Sequence, residues 1–98
     1  MLDLTTFQKS LADDLPPQVC PPLLQALWWD ANNNWKQAHR IAQDIATRDG
    51  SRVHAYLHRK EGDNFNAGYW YSQAGLPEFE GSLEAEWTDL VRHFLGQI

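Results

Sequence analysis

The stretch HAYLHRKEGDNFNAGYWY, residues 54–71, carries the residue types best suited to chemistry in this 98-residue chain. His54 and His58 stand four apart, with Arg59, Glu61, Asp63, Asn66 and Tyr69 following. On a helix, His54, His58 and Glu61 project within about 60° of one another, and an i, i+4 histidine pair spans about 6 Å along the axis. Both imidazoles can then reach one metal ion, with a third ligand from Glu61, from His39 on the preceding helix, or from Asp63. The pair is not the HExxH pattern of a zinc hydrolase: Ala55, Tyr56 and Leu57 separate the histidines, and no base flanks the first.

The same residues can also serve a purely structural end, which is the leading expectation. Histidines at half-buried helix crossings are held by carboxylates, carbonyls or hydroxyls. Glu61, Asp63, Asn66 and Tyr69 are the near partners, and Arg59 can pair with a carboxylate on an adjacent helix or loop. As such a latch, His54 and His58 are expected to be neutral at pH 7, each bonded through one ring nitrogen, with no cofactor bound. A small-ligand or peptide pocket lined by these side chains is the intermediate case.

No other set of residues points to a reaction, and an enzyme is not expected. Cys20 sits in a proline-rich connector without a neighbouring histidine. Ser72 and Ser82 lack a nucleophile-elbow context. There is no phosphate-binding glycine loop: Gly62, Gly68, Gly75 and Gly81 stand alone as helix breakers or packing positions. His93 falls on the polar side of the last helix and is expected to be solvated.

Helices must position all of this. Leu4, Phe7 and Leu11 give a short amphipathic helix over 4–14. Four prolines between positions 16 and 22 make 15–21 an extended connector, and Pro22 suits the first turn of the next helix. Asn32-Asn33-Asn34 stops that helix and caps another over about 34–47, whose stripe is Trp35, Ala38, Ile41, Ala42 and Ile45. Asp49-Gly50 is read as its end, with Ser51 capping a helix over about 51–61. Gly62-Asp63 breaks the chain before a helix near 64–74, which Gly75 and Pro77 terminate. Leu83, Trp87, Leu90, Val91, Phe94 and Leu95 mark a last helix over 82–96. The expectation is one all-α domain of six short helices, with residues 22–75 forming two helical hairpins.

Offset by 29 residues, the hairpins align: Ala26 with Ala55, Trp29 with His58, Asn33 with Gly62, and Ala38 with Ala67. The run GDNFNAGYWYSQA resembles the second half of a tetratricopeptide repeat, with Gly62-Asp63 at the turn and then Ala67, Tyr71 and Ala74. The period is 29 rather than about 34 residues, and His54 and His58 occupy positions that family fills with large apolar or aromatic residues. The wider run AHRIAQD…VHAYLHRKEGDNFNAGYWYSQAG is similar to small bacterial proteins without an assigned activity. These resemblances imply two stacked antiparallel hairpins that bind peptide or protein, with a capping helix at each end.

Net charge −5 with scattered basic residues excludes phosphate-backbone recognition, so no nucleic-acid partner is expected. No apolar run approaches about 18 residues, and no positively charged, apolar leader opens the chain. A single cysteine fits a reducing cytoplasm. Trp28 and Trp29 are about 100° apart on a helix and cannot both enter one narrow seam. Their region is therefore the candidate contact surface, for a weak homodimer or for another protein.

Overall fold

Prolines and capping side chains delimit six helices in the computed structural model, which describes residues 2–98; no strand occurs among them. Asp3 opens α1 (Leu4–Ser10) by accepting the Thr6 N–H at 2.8 Å. The helix stops at Ser10 rather than 14, and residues 11–13 continue only as three-residue turns. Asp13 and Asp14 are unfavourable at the negative end of a helix, and Pro16 disfavours helical backbone at Leu15. α2 (Pro22–Ala31) begins on its proline. α3 (Trp35–Gln43) and α5 (Asn64–Ala74) begin on Asn34 and Asp63, each accepting the N–H three residues on at 3.1 Å.

α4 (Arg48–Lys60) starts three residues earlier than the sequence predicts, and α3 ends earlier to match. Thr47, not Ser51, is the cap: its hydroxyl accepts the Gly50 N–H at 3.0 Å, and Asp49 in the first turn complements the helix dipole. Gly50 is thus not a terminator. A Cβ there would lie 1.9 Å from the Ile45 carbonyl oxygen, so glycine lets the α3–α4 bend close. α6 (Leu83–Leu95) is capped by Ser82, whose hydroxyl accepts the Ala85 N–H at 3.0 Å.

The α2–α3 and α4–α5 turns have one construction at the 29-residue offset. Asn33 (φ 64°) and Gly62 (φ 88°) are both left-handed. Asn34 N–H donates to Trp29 C=O, and Asp63 N–H to His58 C=O, each at 2.9 Å. These two pairs make the most extensive helix contacts; α3 also packs on α4, and α2 and α4 both reach α6, which α1 covers. The main core joins Phe7, Leu24, Leu27, Trp28, Val53, Leu57, Leu90, Val91 and Phe94. A smaller cluster of Ala55, Ala67 and Tyr71 fills the α4–α5 crossing.

Trp28 does not belong to a contact surface. It is 1% exposed, and its indole N–H lies 3.3 Å from the Ser10 carbonyl and 3.2 Å from the Ser10 hydroxyl. α2 lies between neighbours on more than one side, so both adjacent indoles find cover: Trp29 is half-buried, edge-on to Trp28 with ring centroids 5.0 Å apart. Among the described residues no helix is long and apolar enough to cross a membrane.

Candidate metal centre

α4 places His54 and His58 one turn apart on the side facing α3, and α3 answers with His39. His54 Nε2 and His39 Nε2 are 2.8 Å apart. The three rings are mutually adjacent, with centroids at 4.6, 4.7 and 5.2 Å. Each residue offers a ring nitrogen, and these atoms lie within 4.8 Å of one another. His58 Nδ1 is 2.6 Å from Glu61 Oε1, so Nδ1 donates to the carboxylate. Trp35 stacks on His39 at 4.8 Å and donates its indole N–H to the Leu57 carbonyl at 2.8 Å, pinning α3 to α4. Trp70 of α5 stacks on the far ring, His54, at 4.1 Å. Two indoles thus wall the cluster and limit how the imidazoles can turn.

Burial depresses the pKa of His54 to about 4, assisted by the charges His39 and His58 would carry. His39 is lowered by its own burial and by His58, with Glu61 opposing. Both are neutral at pH 7 and present lone pairs. The facing Nε2 atoms of His39 and His54 can share only one proton, since two would clash and none would leave two lone pairs opposed.

The remaining site candidates stand outside the three-histidine set, Asp63 in a second group with His58 and Glu61 whose ligand atoms lie within 4.8 Å of one another. Asp63 caps α5 and also accepts the Asn66 side-chain N–H at 2.6 Å, so both residues serve the turn. Tyr69 is 54% exposed and touches Trp70 edge-on rather than a histidine. Arg59 turns away to α6, donating to Glu86 Oε1 at 2.9 Å and to the Gly81 carbonyl, with Phe79 under its guanidinium. Tyr71 donates to the other Glu86 oxygen at 2.5 Å. His93 lies far along α6, 3.1 Å from Asp49. Cys20 is buried, and burial pushes its thiol pKa up, away from nucleophilic use.

A further buried carboxylate, Asp30, accepts from Tyr56 at 2.7 Å and from Lys60 at 2.9 Å. Burial, then the neighbouring carboxylate, raises the phenol pKa of both Tyr56 and Tyr71. Spacing alone assigns no role to Asp30, Lys60 or Glu86, and it does not show Tyr56 as a buried donor or Trp35 and Trp70 as walls of the cluster. The signal was present: Asp30 continues the stripe Leu23–Leu27 at helical spacing, and Glu86 sits between Leu83 and Leu90 on the apolar face of α6. A carboxylate on an apolar stripe demands buried donors.

No protein family, curated protein or solved structure matches this chain.

Proposed function

We propose that this protein binds a divalent transition-metal ion through His39, His54 and His58, with Glu61 orienting His58 from behind. One observation carries the reading: three imidazoles from two helices converge, and two of them have only each other as partner at 2.8 Å. A latch built for stability would give His54 a carbonyl, hydroxyl or carboxylate. A metal ion, by contrast, replaces the single shared proton. Tetrahedral nitrogen ligands at about 2.0–2.1 Å from zinc stand roughly 3.3 Å apart, so His39 and His54 need part by only about half an ångström. All-imidazole ligation suits zinc, nickel, copper or cobalt and disfavours calcium and magnesium. The Glu61–His58 contact repeats the outer-shell arrangement that fixes a ligating histidine's tautomer.

The test is calorimetric titration of the metal-free chain with zinc and nickel. One equivalent should bind, and His39→Ala, His54→Ala and His58→Ala should each abolish it, whereas His93→Ala should not. Binding that survives His54→Ala would sink the reading.

A second reading is a protein-interaction module, and one observation favours it. Phe65 is 89% and Tyr69 54% exposed, one turn apart on the outer face of α5. The shared turn construction supports the tetratricopeptide-like pairing that would present this face, and the lone, buried Cys20 suits a cytoplasmic setting. Sedimentation over a wide concentration range tests self-association: a dimer lost in Phe65→Ser/Tyr69→Ser supports it, and a monomer throughout removes that form of it.

A further inference from the structure

The carboxylates nearest the histidines are already committed. Glu61 is spent on His58 Nδ1, and Asp63 is spent on the backbone and side chain of Asn66. Neither joins the set whose ligand atoms reach both His39 and His54. Indoles, which offer no ligand atom, occupy the stacked faces of His39 and His54. Among the described residues the set around His54 therefore holds three imidazole ligands and no fourth.

From this we propose that the metal keeps one coordination position open for an exogenous oxygen ligand: water at rest, displaced by a small oxyanion. The proposal rests on the three-histidine reading above. Three protein ligands with a vacant fourth place is the pattern of zinc sites that exchange ligands, whereas purely structural sites are closed by four. Charge selects the occupant. Neutral imidazoles leave the dipositive charge uncompensated in the first shell, and the two nearby carboxylates are engaged, Glu61 by His58 and Asp63 by Asn66, so an anionic oxygen donor gains most. Access is available, because His39 and His58 are only half-buried while His54 forms the inner wall. The occupant must be small, since Trp35 and Trp70 confine the site on two sides.

The experiment loads the full-length chain with cobalt(II), whose visible bands report coordination, and then adds acetohydroxamate or inorganic phosphate. We expect saturable band shifts with each anion, with cobalt retained on desalting, in wild type and equally in Asp63→Asn. Bands that neither anion moves would show a closed site and overturn the proposal while leaving the metal reading intact. Sensitivity appearing only in Asp63→Asn would overturn it as well, by making Asp63 the fourth ligand, and so would anions that merely strip the cobalt. If no histidine-dependent bands form, the metal reading itself fails and this inference falls with it.

Discussion

Asp30 and Glu86 are 1% and 3% exposed, and each is met by two donors, Tyr56 with Lys60 and Tyr71 with Arg59. His54, at 6% exposed, is nearly as buried, yet its one hydrogen-bond partner is another imidazole. The carboxylates show how this fold treats a buried polar group whose task is to join helices: every oxygen is answered, and α4 is tied to α2 and α6. The histidine cluster follows a different rule. The Nε2 atoms of His39 and His54 face one another, the indole walls contribute shape rather than donors, and the nearby carboxylates, Glu61 and Asp63, stand on the His58 side. No buried side-chain nitrogen or oxygen among the described residues lacks a partner. What sets His54 apart is that its partner is another imidazole rather than a carboxylate, carbonyl or hydroxyl, and that choice marks a place where something besides folding is being served.

The largest effect expected from this contrast is at Glu86. Glu86→Ala leaves Arg59 without its carboxylate and the Tyr71 hydroxyl unpaired, and should cost about 3–5 kcal/mol in urea unfolding. Glu86→Gln, which keeps the volume and one acceptor, should cost less and serves where the alanine variant does not fold. His54→Ala in the metal-free protein should cost only about 1–3 kcal/mol. Equal costs at the two positions would erase the distinction.

Metal should then reverse the ranking. At a hundredfold excess over its dissociation constant, a ligand that binds only the folded state adds about 2.7 kcal/mol. Wild type and Glu86→Gln should both gain this on adding zinc, the latter from a lower baseline, while His54→Ala gains nothing. A zinc-dependent rise in melting temperature that His54→Ala retains would place the binding elsewhere.

Glu61 sharpens the comparison further, since it is exposed and holds no helices together. Glu61→Gln should leave metal-free stability nearly unchanged and weaken zinc about 10- to 100-fold, as loss of an outer-shell partner does. Unchanged zinc affinity in that variant would reduce the Glu61–His58 contact to a surface ion pair.

How much of this was legible in the residues differs between the two regions. Helix existence followed from periodicity and caps, and α5 (Asn64–Ala74) falls where the sequence puts a helix, near 64–74. The α3–α4 boundary misled because glycine ordinarily ends helices, whereas Gly50 answers a tertiary contact with the Ile45 carbonyl that periodicity does not encode. The i, i+4 spacing put His54 and His58 together because both lie on one helix. Only packing could bring His39 to both His54 and His58 while leaving Asp63 beside His58 and Glu61, since that depends on how α3 crosses α4. The indole walls were hidden for the same reason: Trp35 reads as an ordinary core position of its stripe until His39, one turn on, is seen to carry it onto the cluster.

Acid should also separate the two kinds of cluster. His54 titrates near pH 4 in the fold and near 6.5 when unfolded. With the folded value depressed, the unfolded chain takes up the proton first as pH falls. Stability is therefore level above about pH 6.5, declines between 6.5 and about 4, and levels again once both states are protonated. The slope in that window is at most about 1.4 kcal/mol per pH unit for one such group. His39, lowered in the same direction, adds to it. Asp63 and Asp3, whose pKa values lie below the ordinary 3.8 because Asn66 and Thr6 donate to them, lose their contributions only at still lower pH. Urea unfolding of the metal-free protein across this range should show the decline, and His54→Ala should flatten most of it. Protons compete with metal only where the folded chain takes them up, so zinc affinity should fall as pH drops towards the folded His54 value of about 4. A wild-type profile level from pH 6.5 to 4, or an equal slope in His54→Ala, would mean that His54 does not fold in its neutral form, and the contrast with the donor-saturated carboxylates would lose its physical basis.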